Sequence, residues 1–168
     1  MTYHLENQKL FDLQTACDIR ERLRNSGKRV VLTNGCFDLL HAGHIFSITQ
    51  AADYGDSLWV ALNSDLSVKK IKGDKRPIFN EQVRAYMLSA LGKVQGIFIF
   101  DGPNLANEIL KFQPDVYVKS GDYSLSKLNQ DELSSLQSVH TDIRFVPFLE
   151  GFSTTSILQE IAKKISED

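Results

Sequence analysis

Cysteine is scarce in this chain of 168 residues: Cys17 and Cys36 are the only two, and neither belongs to a Cys-x-x-Cys pair. That is too few for a disulfide framework, so free buried thiols are expected. Long apolar runs are missing as well, and the start Met1-Thr2-Tyr3-His4-Leu5-Glu6 lacks the basic-then-apolar pattern of a secretory leader. The expectation is a cytoplasmic protein with no membrane partner. Positive charge is not in excess: the net charge of −2 argues against a general nucleic-acid binder, which gathers Lys and Arg on one face. No G-x-G-x-x-G follows the first apolar run, no G-x-x-x-x-G-K-[ST] occurs, and H-E-x-x-H is absent. These gaps remove the dinucleotide-binding fingerprint, the P-loop and the helical zinc-protease motif. Repeats, low-complexity tracts and linkers are lacking too. One domain is therefore expected over residues 1–168, with 1–28 as a helical lead-in and 29–162 as the core. A composition of 42% hydrophobic and 24% charged residues suits a globular fold with a substantial core.

What the sequence does contain is a strand followed by a helix, several times over. Residues 13–26 read as an amphipathic helix with Leu13, Cys17, Ile19 and Leu23 inward and Gly27 as its stop, leading into the β-rich run 29–33. A helix over 44–54 and a strand over 57–62 follow. Asn80 reads as the N-cap of a helix that buries Val83, Met87 and Leu91. Strands over 96–100, 115–118 and 143–146 alternate with helices over 105–112 and 130–137, and a last helix begins at Thr154. Five short apolar strands separated by helices predict a doubly wound, Rossmann-like α/β domain with a five-stranded parallel sheet. Ligands of such folds bind beyond the carboxyl ends of the strands. The polar motifs fall there: Thr33-Asn34-Gly35 after the first strand, Asn63-Ser64-Asp65 after the second, Lys119-Ser120-Gly121-Asp122 after the fourth, Gly151-Phe152-Ser153-Thr154-Thr155 after the fifth.

The tetrad His41-Ala42-Gly43-His44 carries the most chemistry. Two imidazoles three residues apart at a helix start share a face beside unpaired backbone N–H groups, and Gly43 lets a phosphate approach. Ser153, Thr154 and Thr155 offer a second phosphate cradle at another helix start, although simple N-capping explains them equally well in isolation. Residues 69–76 gather a local charge of +4, leaving −6 for the rest of the chain. Lys72 and Arg76 in that loop suit closure over phosphates, and Arg84 one helix later suits a second anionic substrate. Asp122 suits a ribose or base contact, or serves as a turn residue. A zinc site on Cys36, His41 and His44 lacks the usual second ligand pair.

Together these segments resemble a family. Residues 33–44 are similar to the HxGH signature of the cytidylyltransferase-like nucleotidyltransferases, and Ser153-Thr154-Thr155-Ser156-Ile157 to their STTxxI signature. The likeness continues through Asn63-Ser64-Asp65, Lys72-Gly73-Asp74-Lys75-Arg76-Pro77, Arg84 and Lys119-Ser120-Gly121-Asp122-Tyr123. Among the branches it is most similar to the heptose 1-phosphate adenylyltransferases. The resemblance implies transfer of AMP from ATP to a sugar 1-phosphate with release of pyrophosphate, for ADP-heptose and lipopolysaccharide precursors. It implies His41, His44 and Lys72 as catalytic residues. For the nucleotide it implies Asn34, Gly35, Cys36, Phe37, Gly43, Arg76, Gly121, Asp122, Gly151, Ser153, Thr154 and Thr155. For the acceptor it implies Asp38, Asn63, Asp65, Arg84 and Lys119. It further implies Mg²⁺ carried mainly by the nucleotide phosphates, no metal bound by the protein itself, and a homodimer. Phe148-Leu149 replaces the Arg-Thr of glycerol 3-phosphate cytidylyltransferases, which favours adenine over cytosine. Ser120 and Phe152 stand where smaller residues are usual. The alternatives are a cytidylyltransferase acting on an alcohol phosphate and a nucleotide-binding module without turnover.

Overall fold

The computed structural model describes residues 7–121, 124–147 and 149–166. Helix α1 (Leu13–Asn25) leads into strand β1 (Val30–Gly35), followed by α2 (Ala42–Ala52) and β2 (Ser57–Asn63). Two helices, α3 (Asp65–Lys72) and α4 (Glu81–Ser89), precede β3 (Val94–Phe100). Then come α5 (Ala106–Phe112), β4 (Val116–Ser120), a 3₁₀ turn over Leu125–Lys127, α6 (Gln130–Ser138), β5 (Asp142–Val146) and α7 (Thr154–Ser166).

All strand pairings are parallel, in the order β3-β2-β1-β4-β5. The chain builds outward from β1 through β2 to β3, then crosses back to place β4 on the other side of β1. The switch of direction therefore lies between β1 and β4, where a doubly wound sheet opens a crevice at its carboxyl edge. The strands are apolar on both faces because helices cover both, as a parallel sheet requires. Val31, Leu58, Val60 and Leu62 pack beneath Ile48 and Ala51 of α2 and Ala85 and Leu88 of α4. Val30, Leu32, Trp59 and Phe98 pack on the other face against Ala16 of α1, Ile109 and Phe112 of α5 and Leu136 of α6. Gly96 is required in β3, since a Cβ there would lie 2.4 Å from the Trp59 ring.

Three local readings of the sequence change. Helix α2 starts at Ala42, with His41 in the N-cap position and extended, so the first histidine stands just outside the helix and the second just inside it. Helix α3 is an additional element: Ser64 caps it by accepting the Ser67 N–H at 3.1 Å, and eight residues crowded with lysine show too little apolar periodicity to announce it. Lys72 accordingly ends a helix rather than sitting within a loop. In α4 the buried positions are Arg84, Ala85 and Leu88, while Val83, Met87 and Leu91 are half-buried. Periodicity of apolar residues missed this face because its centre is an arginine. On α1 likewise, Ala16 and Arg20 are fully buried, with Leu13, Cys17, Ile19 and Leu23 packed around them. Both cysteines are free thiols, partly buried.

Candidate active site

One crevice of about 680 Å³ opens at the carboxyl edge of the sheet over the β1/β4 switch point. Strand β1 ends in it with Asn34, Gly35 and Cys36, and Phe37 then turns the chain in the left-handed region (φ 45°). A bulky residue is rarely found there, so the turn is held by its surroundings: the Phe37 ring packs 5.1 Å from that of His44. The turn delivers the tetrad. His41 and His44 stack with ring centroids 3.8 Å apart, and the Nδ1 of each is buried with no hydrogen-bond partner among the described residues. Gly43 lies between His41 and Phe152: a Cβ would stand 3.1 Å from the first ring and 3.2 Å from the Phe152 Cβ.

Burial pushes the His44 imidazole down to about 4, with the neighbouring His41 adding to the effect and the Leu39 carbonyl opposing it. Burial lowers His41 as well. Both rings are therefore neutral near pH 7. Across the crevice stand Ser153, Thr154 and Thr155. The Ser153 hydroxyl accepts the Ser156 N–H at 3.0 Å, so Ser153 is the cap that the simpler reading of this motif required. Thr154 and Thr155 lie in the first turn of α7, whose backbone N–H groups have no partner within the helix.

Lys72, at the end of α3, and Arg76 line the same crevice. Arg76 is held in place: its Nε donates to Asp38, a carboxylate only 2% exposed that also accepts the Ile78 N–H at 2.7 Å and the Phe79 N–H at 3.1 Å. Asp38 thus lines the crevice while fastening the basic segment to the β1 turn. Asn63 also lines it and donates to the Ser67 hydroxyl at 2.9 Å.

Arg84 and Asp65 are placed differently. Arg84 is fully buried and does not line the crevice; its guanidinium donates to the Phe79 carbonyl at 3.0 Å, the Cys36 carbonyl at 2.6 Å and Asp65 at 2.8 Å. It ties α4 to the β1 turn and to α3 in the geometry expected for substrate, but with protein as the partner. Gly121 and Gly151 adopt positive φ beside the crevice without lining it. Asp122 and Phe148 lie outside the described residues.

Sequence reasoning missed a whole wall. The loop after β3 and the start of α6 bring Phe100, Pro103, Asn104, Lys127, Asn129 and Glu132 into the crevice. The available signal was positional: β3 also ends at this edge, so Gly102-Pro103-Asn104 belonged with the other strand-end motifs. Lys119 reaches this wall from β4, donating to Asn34 Oδ1 at 2.9 Å and to the Tyr117 hydroxyl at 3.2 Å. Among the described residues no three His, Cys, Asp or Glu side chains cluster as metal ligands.

A parallel sheet with paired imidazoles facing a helix N-terminus at its switch point is the architecture of a nucleotidyltransferase, and the comparisons with known proteins agree. The family model described as Cytidylyltransferase-like matches residues 32–160, and the chain belongs to that family. The chain is similar to the Bifunctional protein HldE of Koribacter versatilis, 46% identical over 139 residues that cover 83% of this chain and 28% of that one. It is 39% identical over 160 residues to the Bifunctional protein HldE of Geobacter sulfurreducens, covering 95% of this chain and 32% of that one. The chain thus spans about a third of the length of these relatives. Among solved structures, the lipopolysaccharide core biosynthesis protein from Thermoplasma volcanium GSS1 matches with a TM-score of 0.60 and 27% identity, over 73% of this chain and 98% of that one.

Proposed function

We propose that this chain transfers AMP from ATP to a heptose 1-phosphate, releasing pyrophosphate and forming an ADP-sugar. The observation that carries the reading is the division of one crevice into two walls. His41, His44, Lys72 and the first turn of α7 form a phosphate wall; Asn34, Asn63, Lys119 and the α6 start form a polar wall. The resemblance to heptose 1-phosphate adenylyltransferases and the similarity to HldE proteins support the choice of substrates.

A phosphate oxygen of the acceptor attacks the α-phosphorus, a new P–O bond forms, and the bond from that phosphorus to the oxygen bridging to the β-phosphate breaks. The nucleophile is already an anion, so alignment and charge neutralisation suffice and no strong base is needed. In this reading the neutral N–H groups of His41 and His44 hold the α-phosphate oxygens where negative charge builds up. Lys72, Arg76 and the N–H groups of Thr154 and Thr155 hold the β- and γ-phosphates. The neighbouring residues Asn34, Gly35, Cys36 and Phe37 shape the nucleoside pocket, with Gly121 and Gly151 beside it. Lys119 and Asn63 meet the acceptor, with Asp38, Asp65 and Arg84 supporting the walls. The described residues supply no cluster of carboxylates, so Mg²⁺ fits this site as an ion carried by the nucleotide, where it would neutralise phosphate charge. The reading includes a cytoplasmic location, where ATP is found, and a homodimer, which sedimentation measures. No helix among the described residues is long and apolar enough to cross a membrane.

Pyrophosphate release is the test, with four nucleoside triphosphates set against heptose 1-phosphate, hexose 1-phosphates and glycerol 3-phosphate. ATP with heptose 1-phosphate should give the highest kcat/KM, at least tenfold above CTP. A preference for CTP with glycerol 3-phosphate would replace this reading with a cytidylyltransferase, and no release with any pair would leave a binding module. In the active pair, His41→Ala or His44→Ala should lower kcat about 100-fold, as loss of a preorganised donor does.

A further inference from the structure

The polar wall contains a charge that the proposed chemistry does not ask for. Glu132, in the first turn of α6, is 4% exposed and lines a crevice that must accept two phosphorylated substrates. A carboxylate there repels both of them. Its partners show what it holds. Oε1 accepts the Leu105 N–H at 2.9 Å; Leu105 occupies the N-cap position of α5 and makes no side-chain cap bond of its own, so the cap comes from the neighbouring helix. Oε2 lies 3.5 Å from the Tyr117 hydroxyl and 3.6 Å from the Lys119 ammonium.

The Leu105 cap accounts for Oε1. Oε2 adds a counter-charge beside the Lys119 ammonium, which Asn34 and the Tyr117 hydroxyl also hold. The Lys119 ammonium faces Glu132 from α6, the Tyr117 hydroxyl from β4, Asn34 from β1 and the Cys36 thiol from the turn beyond it, with Lys127 on the 3₁₀ turn lining the same wall. Burial pulls the ammonium below its ordinary value, and Glu132 works against that pull.

Building on the acceptor role proposed above for Lys119, we propose that Glu132 is a positioning residue that holds Lys119 charged and aimed at the acceptor sugar phosphate. The resulting pair carries no net charge. It meets a phosphorylated polyol with one directed ammonium and neutral hydrogen-bonding groups, and Lys127 lines the same wall. The inference separates the two walls: Glu132 acts on the acceptor and leaves ATP binding alone.

Glu132→Gln tests this, because the glutamine carbonyl still accepts the Leu105 N–H while the charge is removed. The thermal midpoint and the KM for ATP should stay close to those of the parent, the latter within twofold. The KM for heptose 1-phosphate should rise at least tenfold, and the alkaline limb of kcat/KM for the acceptor should move to lower pH; Glu132→Asp, which keeps the charge, should restore that limb. An unchanged acceptor KM, or equal rises in both KM values, overturns the proposal. Lys119→Met approaches the pair from the other side and is decisive if Glu132→Gln fails to fold: it should show the acceptor defect with no limb, and an acceptor KM within twofold of the parent overturns the proposal. If the parent releases no pyrophosphate with any acceptor, the adenylyltransferase reading has failed. Glu132 is then judged by titration of the ¹⁵N-labelled Lys119 ammonium, whose midpoint falls in Glu132→Gln if the pair holds and whose constancy refutes it.

Discussion

His44 is a group whose buried placement costs stability in acid. Its ring titrates at about 4 in the fold, against an ordinary value of 6.5, because burial and the stacked His41 disfavour the charged form. The unfolded chain therefore binds the proton more tightly than the folded one. Stability from this group is fully present above pH 6.5 and is lost as pH falls toward 4. His44→Gln should flatten that acid slope, measured as the urea midpoint between pH 7 and pH 4; an unchanged slope would mean that the ring is solvated. Arg84, expected to bind the acceptor, is fully buried with protein partners for its guanidinium. Removing a fully buried guanidinium leaves Asp65 and the carbonyls of Cys36 and Phe79 without their donor. Arg84→Ala should cost about 3–5 kcal/mol in chemical unfolding. Arg84→Lys should recover less than half of this, since an ammonium cannot span three acceptors held by a planar fork.

At the scale of elements, the legible parts of the molecule were those written in apolar pattern. The five strands and their parallel order follow from short β-rich runs between helices, and the strand-end rule then gathers distant motifs into one crevice. The α6 part of the polar wall was illegible because the start of α6 carries no motif: Glu132 reads in sequence as an ordinary surface acid of a helix first turn, and only the register of α6 against α5 turns it inward. Helix α3 was hidden by its lysines, and the α4 face by a buried arginine. The basic segment after α3 is legible as charge, but the device that holds it is not, since Asp38 and Arg76 are 38 residues apart. Asp38→Ala should release residues 76–79 from the β1 turn. Trypsin should then cut after Lys75 severalfold faster, the bond after Arg76 being protected by Pro77, and added ATP should protect less than it does in the parent. Equal cutting rates would show that the segment is held by other contacts.

The whole molecule stakes its ligand choice on one edge of one sheet. Both faces of β1 and β2 are sealed by helices, so the crevice at their carboxyl ends is where binding free energy must be gathered, and a ligand that bridges α2 to α7 also bridges the core to its last helix. A nucleotide that binds only the folded state stabilises it by about 2.7 kcal/mol at a hundredfold excess over Kd. For a chain of this size that is a rise of about 5–10 °C in the thermal midpoint. ATP with Mg²⁺ should produce such a rise, and CTP at the same concentration a smaller one, because ATP and CTP differ only at the base and the proposed function gives both the same triphosphate contacts. Inorganic triphosphate separates the contributions: if it matches ATP, the shift comes from the phosphate wall alone and base choice resides elsewhere. In that case, and equally if CTP outperforms ATP, the adenine preference inferred from Phe148-Leu149 is wrong. A rise with ATP that is lost in Thr154→Val but retained in Glu132→Gln would place the nucleotide on the α7 side of the crevice and leave the polar wall to the acceptor.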